Sequence, residues 1–559
     1  MTPASTNPVS GPLASVNPAS ATQARTQANA LVAKLWSYCT VLRDNGLSTI
    51  EYVEQLSYLL FLKMADEIAS DPSAAAAEAK AVVPSTHDWR SLVRLRGEAL
   101  ERHYRDILET LGEGTGTTLS TIFAGARNRI TRPALLERLV RDLIGREDWT
   151  VEGTDLKGDA YEGLLARGAE DTKTGAGQYF TPRALIDAMV AVTQPRPDDT
   201  ISDPACGTGG FLIAAHHYLR EHHPSGLRLD ERCGLGAGRI WGTELVAGTA
   251  RLAAMNMLLH GIGAADGPSP IVVDDALAER PRGHASLVLA NPPFGRKSAI
   301  TVVGSDGSLE NEDIAYDRDD FCATTTNKQL NFLQHIMSLL AVNGRAAVVL
   351  PDNVLFEGGA GEKVRRRLLA EFDLHTILRL PTGIFYAGGV KASVLFFEKK
   401  PPRPDGGPNT SVVWVYDLRT GKHFTLRQRP LRQADLDGFV ECYLPGRPRA
   451  ERVESERFRP FTRAELIARD KVNLDVTWLR DPSHDDADSL LPPAVIAREI
   501  VEDLQAALAG FVAIADALDG PADGDGTDGD GTDGDGTDGD GTDDDATGDA
   551  AGPTASRCV

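Results

Sequence analysis

Apolar residues recur along the first part of the chain with helical spacing. Leu31, Leu35, Tyr38, Val41 and Leu42 fall at i, i+4, i+7, i+10 and i+11, and Ile50, Val53, Leu56, Leu59, Leu60 and Leu62 resume the stripe after an Asn45-Gly46 break. Ala134 to Ile144 is patterned in the same way, so residues 25–150 read as an all-helical domain with an Ala-rich surface insert at Ala74 to Ala81. Residues 1–24, mostly Ala, Ser, Thr, Pro and Asn, read as a disordered leader.

The period changes near Asp198. Short apolar runs at Thr200 to Ser202, Arg239 to Thr243, Ile271 to Val273, Ser286 to Ala290, Ala346 to Leu350, Thr376 to Arg379 and Val394 to Glu398 alternate with amphipathic stretches such as Gly248 to His260 and Leu330 to Leu340. This alternation predicts an α/β fold with a doubly wound sheet in a catalytic domain over residues 151–400, its last run forming a late antiparallel strand. Residues 401–520 read as a C-terminal extension, with a strand-like Ser411 to Tyr416, a helical pattern around Thr462 to Asp470 and a long amphipathic helix from Pro493 to Leu518. That last helix could pack on its own domain or on another subunit. Residues 521–559 contain four copies of Gly-Asp-Gly-Thr-Asp between Gly524 and Asp543. A period of five matches neither the β-roll nor the EF-hand calcium loop, so a solvated, disordered tail is expected.

Charge sharpens this division. The 559 residues carry a formal charge of −22, and the tail, with 12 Asp and one Arg, accounts for −11 of it. The body is still acidic, which argues against gripping nucleic acid by its own field and for a partner that supplies the grip. The six cysteines are scattered with no CxxC pair, so no metal site is expected. No signal peptide or membrane span is legible, and a cytoplasmic location is the expectation.

The chemistry concentrates in a few short segments. Asp203-Pro204-Ala205-Cys206-Gly207-Thr208-Gly209-Gly210-Phe211 lies between a predicted strand and a helix, where glycines let the chain turn tightly beside a nucleotide-like ligand. Glu244 ends the next strand, placed to accept ribose hydroxyls. Asp275 ends the third and either faces an adenine amino group or caps a turn. Asn291-Pro292-Pro293-Phe294 follows Leu287-Val288-Leu289-Ala290 directly. Two prolines force the chain out of the sheet, presenting Asn291 and Phe294 to a cleft. There the Asn291 side-chain oxygen and the Pro292 carbonyl can accept the two N–H bonds of an exocyclic amine, and Phe294 can stack on its base. A base in a duplex must be flipped out to reach such a pocket.

These segments resemble the motifs of amino-group methyltransferases that use S-adenosylmethionine, and Gly177-Gln178-Tyr179-Phe180-Thr181-Pro182-Arg183 is similar to the cofactor-covering segment of the DNA adenine branch. Over residues 28–515 the resemblance extends to the methylation (M) subunit of type I restriction-modification systems, through Leu60-Phe61-Leu62-Lys63, Asn331-Phe332-Leu333-Gln334-His335, Gly383-Ile384-Phe385, Tyr416-Asp417-Leu418-Arg419-Thr420 and Asn473-Leu474-Asp475 among others. The resemblance implies the Rossmann-like methyltransferase sheet and S-adenosylmethionine held by Gln178, Tyr179, Phe180, Thr181, Pro182, Arg183, Asp203, Thr208, Gly209, Gly210, Glu244 and Asp275. It implies a flipped adenine at Asn291, Pro292, Pro293 and Phe294, methylated at N6. It further implies DNA and a specificity (S) subunit as partners, with a restriction (R) subunit and a second M subunit as further members. An amino-group methyltransferase acting on RNA or protein glutamine, and a non-catalytic scaffold of an antiviral complex, are the competing readings. The basic clusters Arg365 to Arg367 and Arg427 to Arg432 are expected to be solvated surface, or less commonly phosphate contacts.

Overall fold

The computed structural model describes residues 33–38, 42, 47–70, 83–147, 163–164, 181–223, 238–295, 299–303, 309–313, 315–385, 390–426 and 429–479. The chain divides into two compact units, Met1–Leu491 and Pro492–Val559, and every described residue belongs to the first. The expected leader, Ala-rich insert, Pro493 to Leu518 helix and acidic tail lie outside the described residues.

Nine strands form the main sheet: β1 (Ile201–Asp203), β2 (Ile240–Glu244), β3 (Ile271–Val273), β4 (Ala285–Ala290), β7 (Leu340–Pro351), β8 (Phe372–Arg379), β9 (Ala392–Lys399), β10 (Val412–Asp417) and β11 (Phe458–Thr462). A separate antiparallel ribbon, β5 (Ala299–Val303) with β6 (Leu309–Asp313), follows β4. Strand order is β11-β10-β8-β9-β7-β4-β1-β2-β3. All seven expected strands of the sheet are present. Val394 to Glu398 lies in β9, antiparallel to both β7 and β8, as its late position in the alternation predicts. The remaining pairs are parallel except for β10 with the edge strand β11. The extension beyond residue 400 therefore contributes two strands to the sheet as well as helices.

Side chains alternate across this sheet and feed two cores. Leu287, Leu289, Ala347, Val349, Val394 and Phe396 join one hydrophobic cluster, while Val288, Ala290, Ala346, Val348, Leu395 and Phe397 join the other. The first is shared with the N-terminal helices, including α1 (Thr49–Ser70), α2 (Gly97–Gly112) and α3 (Thr118–Phe123). It also takes in α4 (Arg183–Thr193), α5 (Gly210–His222) and α6 (Ala247–Leu259). The second is covered by α7 (Lys328–Leu339) and α8 (Ala360–Glu371). The N-terminal helices are bonded to α6 through Arg251, which donates to the Tyr58 hydroxyl and the Ala124 carbonyl at 2.7 Å each and pairs with Glu54. No helix among the described residues is long and apolar enough to cross a membrane.

The basic cluster in α8 is not a solvated surface throughout. Arg365 is 1% exposed and donates to the carbonyls of Val354, Glu357, Lys471 and Val472, a set of acceptors that satisfies a buried guanidinium without a carboxylate. Arg366 and Arg367 pair with Glu362 and Glu371 one turn away, as an ordinary helix surface does. Arg427 lies outside the described residues, and Arg429 stacks on Phe424 at 5.4 Å.

One ion pair ties the sheet together at its amino-terminal side. Arg345 of β7 forks onto Asp199 at 3.0 and 2.6 Å and also donates to the Thr193 and Gln194 carbonyls behind α4. Asp199 accepts a further bond from Ser286 of β4 at 2.7 Å. Burial raises the Asp199 carboxyl, but the Arg345 fork outweighs it and the net position is below the ordinary value. Its contribution is therefore present above the usual carboxylate range and is lost as pH falls through the depressed folded value. Replacing Arg345 by Met should leave a buried carboxylate unpaired and lower the unfolding free energy by about 3–5 kcal/mol at neutral pH. Urea midpoints should show a smaller deficit at about pH 4.5, where the stranded carboxyl can take a proton. An equal deficit at both pH values would contradict this.

Candidate active site

Strand order reverses between β1 and β4, the crevice where open α/β sheets bind ligands at the carboxyl ends of their strands. The segments singled out in the sequence converge there. After β1, Asp203 accepts a bond from the Ala205 N–H at 3.0 Å, and Gly207 and Gly209 turn the chain with φ of 55° and 86°. Only glycine adopts such values at little cost, so the loop delivers its backbone to the crevice before α5 begins at Gly210. The loop also lies close to β2. A Cβ at Gly242 would come within 2.7 Å of the Cys206 sulfur. Burial pushes the Cys206 thiol well up, so it packs rather than attacks.

Glu244 links this loop to the next. Its two oxygens accept the Gly207 N–H at 3.1 Å and the Val246 N–H at 2.9 Å. Each oxygen keeps a second acceptor direction, enough for a pair of hydroxyls. Burial raises its carboxyl despite those donors, and burial with the added charge of Glu244 raises Asp203 to about 8. The carbonyl of Thr208 accepts from the buried Asn256 of α6 at 3.0 Å, which fixes the loop from behind. Asp275 spends one oxygen on the Leu277 N–H at 2.9 Å and the other on the Tyr316 hydroxyl at 2.8 Å. It therefore does cap a turn, and it carries Tyr316 beside it.

The chain leaves β4 at Asn291. The Asn291 amide Nδ2 donates to the Thr181 hydroxyl at 2.8 Å, just ahead of α4. Its buried Oδ1 accepts no hydrogen bond among the described residues. A buried amide oxygen without a donor is costly unless something supplies one, and this one stands where two prolines open the strand end. Phe294 is 9% exposed and meets Phe385 edge to face at 5.3 Å. Behind it, Gln329 of α7 donates to the Gly295 carbonyl. Asn327 caps α7, accepting from the Gln329 and Leu330 N–H groups at 3.0 and 3.2 Å, and donates to Glu357 at 2.7 Å.

Thr181, Pro182 and Arg183 stand where the expected cofactor segment enters α4, while Gln178, Tyr179 and Phe180 lie outside the described residues. Arg183 pairs with Asp187 one turn on. Gln329, Phe385 and Tyr316 were not foreseen as neighbours of the site. No spacing marks them, because each reaches the cleft from an element far along the chain. Gln334, within the Asn331 to His335 motif, accepts from the Cys322 and Ala323 N–H groups at 2.9 and 3.0 Å, so that motif shapes the loop ahead of α7.

Comparison with known proteins agrees with this arrangement. The model of the N-6 DNA Methylase family matches residues 152–485, and that of the HsdM N-terminal domain matches residues 31–143. The chain is 37% identical over 540 residues to the type I restriction enzyme EcoKI methylase subunit of Escherichia coli (strain K12), covering 89% of this chain and 97% of that protein. It is 38% identical over 521 residues to the StySPI methylase subunit of Salmonella potsdam, covering 86% and 93%. Among solved structures, a chain from a study of assembly and conformational transition in the type I R-M system superposes with a TM-score of 0.60 at 25% identity, covering 88% of this chain and 98% of that one. The type I methyltransferase subunit from Streptococcus thermophilus shares the fold, with a TM-score of 0.59 at 20% identity, covering 80% and 98%. A glycine loop after β1, an acidic residue after β2 and Asn-Pro-Pro-Phe after β4, in one crevice and under matching family models, place this chain in the N-6 DNA methylase family.

Proposed function

We infer that the protein transfers the methyl group of S-adenosylmethionine to N6 of adenine in DNA, as the modification subunit of a type I restriction-modification complex. The observation that carries this reading is the Asn291 side chain. Its amide nitrogen is engaged by Thr181, which leaves a buried oxygen acceptor at the end of β4. The nitrogen lone pair of an aromatic exocyclic amine is delocalised into the ring. Accepting its N–H bonds with fixed oxygens, those of Asn291 and the Pro292 carbonyl, would draw that pair back onto nitrogen. Phe294, braced by Phe385, offers a face for the flipped base.

The residues present suit the cofactor. Glu244 retains acceptor directions for ribose hydroxyls, the loop from Asp203 to Gly210 brings backbone close, and Thr181 to Arg183 border the same crevice. Bound there, S-adenosylmethionine supplies an electrophilic methyl carbon on a sulfonium. The chain's own part is to hold and desolvate the acceptor amine and exclude water around it. We assign Gln178 to Phe180 to the same cofactor set by their place in the motif.

DNA and further subunits are the partners that this function calls for, and we propose a specificity subunit as the one that reads sequence. An acidic body with −11 outside its tail supports that division, since a chain of this charge gains little from phosphate attraction alone. A restriction subunit and a second modification subunit would complete the assembly.

Replacing Asn291 by Ala should reduce methyl transfer at least about 100-fold, measured with radiolabelled cofactor, specificity partner and DNA, while cofactor binding by calorimetry is kept. Equal labelling by both proteins would refute the catalytic assignment. Glu244→Ala should have the complementary effect, weakening cofactor binding by about tenfold or more and raising KM for it. Label appearing on RNA or protein instead of DNA would move the acceptor to another class. Removing residues 521–559 should leave the methylation rate unchanged within error, and a large loss would show that the acidic tail takes part.

A further inference from the structure

We propose that a concavity at the amino-terminal ends of the parallel strands, opposite the methylation crevice, is a binding site for a phosphate group. It has a volume of about 490 Å³, and its walls include Arg196, Arg345, Arg449, Arg452 and His375 together with Glu398, whose carboxylate is held by Arg449 and Lys400. Arg345 begins the parallel run of β7 and faces Glu398 at the end of antiparallel β9, which fixes the concavity on the side away from Asn291.

Most of the charge here is matched. Arg345 has Asp199, Arg449 has Asp373, Lys400 has Glu398, and Arg447 lies 4.0 Å from Glu451. Two guanidiniums are left over. Arg452 is 6% exposed and uses Nε on the Tyr443 carbonyl and Nη1 on the Thr376 hydroxyl, both at 2.9 Å, while its plane lies 4.6 Å from the Tyr443 ring. Those contacts satisfy donors and add ring attraction but bring no negative charge; no carboxylate stands within 4.0 Å among the described residues, and Asp373, which acts on Arg452 from further off, is already paired with Arg449. Arg196 is exposed at the rim, and its guanidinium has no carboxylate partner among the described residues.

A buried cation without a counter-charge is destabilising, and arginine forks match the geometry of phosphate oxygens. Two unmatched charges suit a phosphate dianion. His375 supports this, since burial together with Arg449, Arg452 and Lys400 holds its imidazole well below the ordinary value, as a surplus of positive charge would. Arg452 itself is lowered, chiefly by burial, to about 10 and still remains charged at neutral pH.

The test is calorimetric titration of the full chain with inorganic phosphate, against sodium chloride at matched ionic strength. Saturable binding of one phosphate is expected, weakened about tenfold in Arg196→Ala, whose side chain holds nothing else in place. Arg452→Gln should abolish it, and a thermal scan of each variant separates lost binding from lost folding. No saturable binding, or equal binding by Arg196→Ala, would overturn the proposal. So would displacement of phosphate by S-adenosylmethionine, which would put the anion in the methylation crevice. Competition by a short DNA duplex would identify the natural source as a nucleic-acid backbone, and competition by pyrophosphate alone would identify it as a small phosphate.

Discussion

The hydrogen bond from Asn291 to Thr181 decides which end of one amide is left without a partner among the described residues, and the function proposed above rests on it. A carboxamide can present either a donor or an acceptor, and only the acceptor can draw electron density onto an amine. Thr181 occupies the donor end at 2.8 Å, so the acceptor end is the one left for an incoming donor. The surroundings maintain that choice. The two prolines keep the strand from continuing past Asn291, Gln329 holds the Gly295 carbonyl on the far side, and Phe385 supports Phe294. Elements from three separate parts of the chain therefore converge on the Asn291 to Gly295 segment, and one of them, through Thr181, orients the Asn291 amide.

A second constraint is electrostatic. The crevice concentrates carboxyl groups in a poorly solvated place, with Asp203 raised to about 8 and Glu244 raised by burial against its backbone donors. Such carboxyls are expensive for the free protein and become useful when hydroxyl donors or a cationic centre arrive. The opposite end of the sheet has the reverse character, with arginines in excess of acids. The two ends of one sheet thus differ in the charge they welcome, although the body as a whole is acidic.

Much of this was legible in the sequence because the chemistry lies in short contiguous segments at strand ends. Ile271 to Val273 was read to the residue, and the late antiparallel strand was read from its position in the alternation. Other elements gave no such signal. β11 contains Pro460 and buries little, as an edge strand can, and the β5–β6 ribbon includes the acidic run Leu309–Asp313, which has no apolar alternation. β7 begins earlier than its apolar run because Asn343, with φ of 66°, and Gly344 interrupt the pattern without ending the strand. Arg365 was misread for a different reason. Charge in a sequence suggests solvent, but four backbone carbonyls can satisfy a guanidinium inside a core. The bonds from Asn291 to Thr181 and from Gln329 to Gly295 join residues far apart in the chain, and local spacing carries no trace of them.

The antiparallel strand β9 sets the order in which the protein can become itself. Because β9 lies between β7 and β8, those two strands have no direct pairing and must wait for residues as late as Lys399 before they are joined. Phe385, which braces Phe294, sits in the connection leading into β9. A nascent chain that has just left the ribosome as far as Asn-Pro-Pro-Phe therefore holds that segment without Phe385 beside it, and gains that contact only about ninety residues later in synthesis.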